Sequence, residues 1–416
     1  MRGQARWGTG AEGVKLPPPI PFHSSPRPRT SMHPLFLDHA ATTPVRREVL
    51  DAMAPVLEQT FGNPSSTHRW GREAAAVLAE ARAQAAAALG ARFSELHFVR
   101  GGTESDNLAL LGRAARLRGE GAHPCLAVSA VEHKAVLDAA RHATARGAGR
   151  LEVLDVSPGG EVDLDALGRA LARAPTLVSV MWVNNEVGMV LPVEEVARRC
   201  RAVGATFHSD AVQAVGKVPV RVDRVPVDLL TVTGHKIYGP KGTGLLFVRE
   251  GVHLSPLLHG GGQERALRPG TEDVAGAVGL ATALSMAVAE RDAEAPRLEG
   301  LRNRLEAALH AGIPGLRVNA ASATRAPHVT SASIPGVDGT SLVMALDLEG
   351  LAVSGGSACN SGASTGSHVI AALYGSADDM ATIRYSLGRT TAAGDVDRAA
   401  EVTIRVVRRL AGTHPA

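Results

Sequence analysis

Cysteine is scarce in this 416-residue chain: there are three, Cys125, Cys200 and Cys359, and none forms a CxxC pair. That excludes a disulfide framework and a cysteine-built zinc site, and it fits a reducing, cytoplasmic compartment. An excess of one charge is also missing. Lys plus Arg number 44 against 41 Asp plus Glu, for a net charge of +3. Over this length that is too small to imply a nucleic-acid or membrane-surface partner. No apolar run reaches 18 residues, and the Ala-rich stretch from Ala74 to Leu89 is broken by Glu80, Arg82 and Gln84. No membrane-spanning helix is expected.

What remains is the composition of a folded soluble protein, 45% hydrophobic and 20% charged, long enough for two or three domains. Residues 1–34 are expected to be a disordered leader, rich in Pro, Gly and Arg, with segments such as Lys15-Leu16-Pro17-Pro18-Pro19 and no apolar periodicity. They lack the apolar core of a secretory signal; an Arg-rich transit peptide and an extension upstream of a start at Met32 both fit. From Val45 onward helical patterns alternate with short apolar runs, which predicts an α/β fold with a mostly parallel sheet. Seven strands are expected, at Leu96 to Val99, Leu126 to Ser129, Leu151 to Leu154, Leu177 to Val183, Thr206 to Ser209, Leu229 to Thr233 and Gly244 to Val248. Helices are expected over Thr103 to Leu117, Lys134 to Arg146, Asp163 to Ala172 and Pro192 to Val203, with Asp163 as a cap and Pro192 in a first turn. A large domain over 35–280, whose first residues pack on the small one, and a smaller α+β domain over 281–416 follow from the change of pattern near Ala281.

In an open α/β sheet ligands bind beyond the carboxyl ends of the strands, and polar residues crowd there. Arg100-Gly101-Gly102-Thr103-Glu104 forms a Gly-rich turn into a helix. It would offer N–H groups and a positive dipole end to a phosphate, although a helix cap at Thr103 explains it equally well. It lacks the Gly-Lys-Ser/Thr ending of a P-loop, and it lacks the G-x-G-x-x-G of a nicotinamide site. Glu132-His133-Lys134, Asn184-Asn185-Glu186, and Asp210 with Gln213 follow other strands. Lys236 sits in the glycine-bracketed turn from Gly234 to Gly242, where a lysine of lowered pKa forms a Schiff base. The ordinary fate of a loop lysine is solvation, and Lys241 is a rival in the same turn. A phosphate-binding turn, a His, an acid, a Gln and a lysine on one sheet edge make the kit a pyridoxal phosphate site needs. The small-residue stretch Ser354-Gly355-Gly356-Ser357-Ala358-Cys359-Asn360-Ser361-Gly362 is expected to be a mobile loop. Cys359 is therefore the candidate nucleophile, whereas Cys125 and Cys200 read as buried hydrophobes.

From about Phe36 to the C-terminus the chain resembles the cysteine desulfurases, fold-type I pyridoxal phosphate enzymes of the class V aminotransferase superfamily. The resemblance rests on Leu37-Asp38-His39-Ala40-Ala41-Thr42-Thr43-Pro44, Phe61-Gly62-Asn63-Pro64, Thr103-Glu104-Ser105-Asp106-Asn107, Glu132-His133-Lys134, Asn184-Asn185-Glu186, His259-Gly260-Gly261-Gly262-Gln263, Ser357-Ala358-Cys359 and Ile383-Arg384-Tyr385-Ser386-Leu387-Gly388-Arg389. The cysteine loop is similar to that of the long-loop, housekeeping iron–sulfur group.

The resemblance implies that Lys236 is the Schiff-base lysine, that His133 stacks on the cofactor and exchanges protons, and that Asp210 pairs with the pyridinium nitrogen. It implies that Gln213 bonds the phenolic oxygen, that Gly102, Thr103, Thr233 and His235 hold the phosphate, and that Thr271 joins them from the other subunit of a homodimer. Asn185 and Arg384 would grip the carboxylate of L-cysteine. Cys359 would take the sulfur as a persulfide, releasing alanine, and pass it to an iron–sulfur scaffold or sulfur carrier. No resident metal is implied; Cys359 would touch a cluster iron only in passing. A selenocysteine lyase or a related class V lyase or aminotransferase is the alternative. The sequence departs from the family pattern at Gly102, usually Ala, at Thr233, often Ser, at Pro269, usually Ser, and from Asn360 to Gly366.

Overall fold

The computed structural model describes residues 34–145, 149–173, 175–355, 366–375 and 380–412. In chain order they form β1 (Leu35–Phe36), α1 (Arg47–Gln59), α2 (Arg69–Leu89), β2 (Leu96–Val99), α3 (Gly102–Gly119), β3 (Cys125–Ser129), α4 (Lys134–Thr144), β4 (Arg150–Leu154), α5 (Leu164–Leu171), β5 (Thr176–Ser179), α6 (Val193–Ala202), β6 (Thr206–Asp210), β7 (Leu229–Thr233) and β8 (Gly244–Val248). Then come α7 (Val274–Gly312), β9 (Arg317–Val318), β10 (Val329–Ile334), α8 (Gly339–Leu348), β11 (Leu351–Ala352), β12 (Ser354–Gly355), α9 (His368–Tyr374), β13 (Ala381–Ser386) and α10 (Ala393–Ala411).

The seven expected strands form one sheet in the order β2-β8-β7-β6-β5-β3-β4. All its pairings are parallel except those of β8, which runs against β7 and β2. The strands read as unbroken apolar runs because both faces are covered. Leu126, Leu177, Leu229 and Leu246 face a core shared with α3 and α4, while Ala127, Val178, Leu230 and Phe247 face another built with α1, α2 and α7. Side chains alternate between the faces with the strand period of two. One strand is shorter than expected: the ladder of β5 ends at Ser179, and Val180 and Trp182 continue only as single bonds to the His208 and Asp210 carbonyls. Asp163 caps α5, its Oδ1 accepting from the N–H groups of Asp165 and Ala166. Pro192 lies one position earlier than expected, at the N-cap of α6.

A second sheet, β12-β13-β10-β9, is antiparallel. With α8, α10 and the far half of α7 it encloses Leu305, Ile334, Leu346, Ile383, Tyr385 and Val396. Leu35 and Phe36 pair in parallel with Leu351 and Ala352, so the first described strand is bound to late sequence. The 39-residue α7 is apolar enough over 18 residues to cross a membrane by composition, but it packs along α1 and α2 with half of that stretch buried. Residue 281, the expected boundary, falls inside this helix. Pro34–Ala416 cluster as one compact unit.

Candidate active site

The carboxyl ends of β6 and β7, with the segments after β3 and β5, open onto a cavity of about 280 Å³. Gly102, Thr103, His133, Asn185, Asp210, Gln213, Thr233, His235, Lys236 and Arg384 all line it. Thr271 is exposed and does not reach it. Cys359 lies outside the described residues.

Lys236 is distinguished from Lys241 by place: Lys241 is exposed, whereas Lys236 Nζ donates to the carbonyls of Ala40 at 2.6 Å and Ala41 at 2.7 Å. The turn that carries it is held at Tyr238, whose φ of +65° is unusual for a bulky residue. Three bonds keep it there. Tyr238 N–H donates to Thr43 Oγ1, its carbonyl accepts from Arg46, and its hydroxyl accepts from the Arg389 N–H.

Asp210 ends β6 and is buried, with Oδ1 accepting from the Val212 N–H at 2.8 Å. Burial raises its pKa, opposed by the charges of His133 and Lys236. A carboxylate so placed is stabilised by a cation in the cavity. His133 is the N-cap of α4, and its Nδ1 accepts from the Ala135 N–H at 3.1 Å. A neutral ring therefore carries its hydrogen on Nε2. Gln213 Nε2 donates to the Ala40 carbonyl at 2.8 Å. His235 Nδ1 lies 3.2 Å from Thr42 Oγ1, and burial with the nearby Lys236 and Lys241 charges lowers its pKa to about 4.

At the start of the 18-residue α3, Gly101 is the cap, with φ of +143° and no side chain to satisfy the first N–H groups. Those of Gly102 and Thr103 meet the cavity, which suits an anion. A Cβ on Gly102 would stand 3.2 Å from Val212 Cγ2, so the alanine usual in the family needs a small adjustment of Val212. The donor set thus fits pyridoxal phosphate: N–H groups for a phosphate, a buried carboxylate for a cationic ring nitrogen, and a lysine on the same cavity.

Arg384 projects from β13. Its Nη1 donates to the Asn185 carbonyl at 2.9 Å and its Nη2 to Asp38 Oδ1 at 2.7 Å and Ser354 Oγ at 3.1 Å, while the buried Nε has no partner among the described residues. Asp38 and Ser354 orient this guanidinium and were not singled out by sequence reasoning. Asp106 and Met181 also line the cavity. Asp38 and Asp106 both stand inside landmark motifs, but an aspartate in a turn or early helix reads as a local cap until its distant partner is known. The two other cysteines are buried as expected, and burial pushes the Cys200 thiol up to about 12.

The chain belongs to the class-V aminotransferase family, whose model matches residues 35–399. Within it the similar relatives are cysteine desulfurases. Cysteine desulfurase IscS of Dictyoglomus turgidum is 41% identical over 382 residues, covering 92% of this chain and 96% of the relative. Putative cysteine desulfurase IscS 1 of Bacillus subtilis is 42% identical over 381 residues, covering 91% and 100%. Among solved structures, a NifS-like protein superposes with a TM-score of 0.83 at 33% identity, covering 91% of this chain and all of that one.

Proposed function

We propose that this protein is a pyridoxal phosphate-dependent cysteine desulfurase, which converts L-cysteine and the Cys359 thiol into L-alanine and a Cys359 persulfide. The sulfur is then handed to an acceptor protein for iron–sulfur cluster assembly or tRNA thiolation. The observation that carries this reading is the convergence of Lys236, Asp210, His133 and Arg384, from four separate elements, on one cavity.

When bound, pyridoxal phosphate supplies a ring that accepts electrons from the substrate. Gly102, Thr103, Thr233 and His235 hold its phosphate, Asp210 its ring nitrogen and Gln213 its phenolic oxygen. Lys236 Nζ, steered by two carbonyls, is the amine that tethers it. His133 moves a proton at Nε2. Arg384 and Asn185 take the substrate carboxylate, for which a planar guanidinium offers a two-pronged grip. Cys359 attacks the substrate sulfur; the S–S bond forms as the substrate C–S bond breaks. Ser354, five positions before Cys359 in the sequence, touches Arg384 at the cavity.

A homodimer in the cytoplasm completes the proposal. The exposed Thr271 is then offered to the partner's cavity, and the free cysteines suit a reducing compartment. The large domain over 35–280 and the small one over 281–416 share α7, which runs across their boundary. The test is alanine and sulfide release from L-cysteine with a reductant, for wild type and Cys359→Ala, each checked for cofactor absorbance. Alanine formed by the wild type and lost in a variant that keeps cofactor supports the reading. An equally active variant, or a wild type that binds cofactor but forms no alanine, refutes it.

A further inference from the structure

Two consecutive residues, Ser367 and His368, touch two loops of the cavity at once. Ser367 caps α9, its Oγ accepting from the Ile370 N–H at 3.1 Å, and the same hydroxyl donates to Glu186 Oε2. His368 Nε2 lies 2.9 Å from the Glu132 carbonyl oxygen. A carbonyl only accepts, so the ring carries a hydrogen there and donates it. Glu186 follows Asn185 in the chain and Glu132 precedes His133, and both Asn185 and His133 line the cavity. Each of the two contacts is therefore one residue away from a group to which the proposed chemistry gives a task.

The contacted residues are braced on their other sides. Asn184 Oδ1 accepts from the N–H groups of Glu186 and Val187, both at 2.9 Å, and its Nδ2 donates to the Val131 carbonyl at 2.8 Å. Glu132 Oε1 accepts from Ser129 Oγ and from the Met181 N–H, each at 2.6 Å. The Asn185 carbonyl receives Arg384 Nη1 at 2.9 Å. α9 gives the pair a firm base. Val369, Ile370 and Leu373 are buried in the core that also holds Val131 and Met181, and the Tyr374 hydroxyl at the far end of the helix accepts from the Ala320 N–H at 2.8 Å. Burial raises the Glu186 pKa, opposed by the Ser367 bond and by the charges of His368, Arg384 and His133. This carboxyl group thus stands among the basic groups of the cavity.

We propose that Ser367 and His368 are positioning residues: His368, through the Glu132 carbonyl, sets the place of His133, and Ser367, through Glu186, sets that of Asn185 and of the Arg384 beside it. This rests on the tasks proposed for those three residues. Loss of the His368 bond is felt in proton movement at His133, and loss of the Ser367 bond in the grip on the substrate carboxylate. One hydrogen bond of this kind is worth about 2- to 10-fold.

The test uses the full-length protein with isotope-labelled histidine and asparagine, read by nuclear magnetic resonance. His368→Phe removes the donor, and His368→Gln keeps one at similar reach. Ser367→Gly removes the bond to Glu186 at little cost to the helix cap. The expected result is a His133 ring resonance displaced in His368→Phe and restored in His368→Gln, and an Asn185 amide resonance displaced in Ser367→Gly. With L-cysteine, kcat falls about 2- to 10-fold in His368→Phe with KM near wild type, whereas Ser367→Gly raises KM by that factor with kcat near wild type. An unmoved His133 or Asn185 resonance, a His368→Gln that restores nothing, or the same change of kcat and KM in both variants overturns the proposal. If His368→Phe does not fold, Ser367→Gly decides by its own resonance and KM. The resonances need no turnover: displaced as expected in a protein that forms no alanine, they uphold the positioning and refute the desulfurase reading.

Discussion

Arg384→Lys isolates what the guanidinium fork contributes. In the wild type Nη2 binds Asp38 at 2.7 Å and Ser354 at 3.1 Å, and Nη1 binds the Asn185 carbonyl at 2.9 Å. A lysine ammonium at this site keeps the ion pair with Asp38 and therefore the fold, but it is a point charge and cannot hold three protein groups and a two-pronged carboxylate at once. One charge-assisted bond to substrate is worth about 1.5–3 kcal/mol, and 1.4 kcal/mol is tenfold in affinity. The expected result is a KM for L-cysteine raised about 10- to 100-fold, with cofactor absorbance and Tm close to wild type. Alanine formation against L-cysteine concentration, with a melting curve, measures both. An unchanged KM would remove Arg384 from the substrate carboxylate. Asp38→Asn is the companion: the buried guanidinium loses its counter-charge, so Tm falls as well as substrate affinity.

Glu132 makes a pH prediction. Burial raises its carboxyl to about 8 from the ordinary 4.5, so the native state keeps a proton that the unfolded chain has released. The cost grows from about pH 4.5 and levels off near 8, and Glu132→Gln should add up to about 3 kcal/mol at pH 7 but nothing at pH 4, read by denaturant melts. A gain independent of pH would contradict the burial argument. Arg82 binds Glu264 through two bonds of 2.6 and 2.7 Å with both side chains buried. Arg82→Met strands that carboxylate, at a cost of about 3–5 kcal/mol, visible as a Tm drop; an unchanged Tm refutes it. Activity should climb toward the ordinary thiol range near pH 8.5, because the attack proposed for Cys359 requires its thiolate; a rate flat from pH 6 to 9 would argue against thiolate attack as the limiting step.

The large sheet was legible because its strands are covered on both faces, so Leu229 to Thr233 and Gly244 to Val248 read as apolar runs with the bounds they have. Strand ends were legible too, and Lys236, Asp210 and His133 followed from them. The second sheet was not. β9 and β12 are two residues each, too short to show periodicity, and, apart from that sheet, β1 exists only because Leu35 finds Leu351. The Arg384–Asp38 pair joins residues 346 positions apart, and no local pattern announces such a bond.

The pairing of Leu35 with Leu351, and of Asp38 with Arg384, sets an order of events during synthesis. A nascent chain presents Asp210 and Lys236 well before Arg384 leaves the ribosome. The carbonyls of Ala40 and Ala41 that steer Lys236 lie in the stretch that must wait for β11 and β13 before it is pinned. Contacts of such long sequence separation form late, because the loop must close before they reward it. Completion of the cavity is thereby coupled to completion of the polypeptide, and a prematurely terminated chain, however well its large sheet folds, emerges without it.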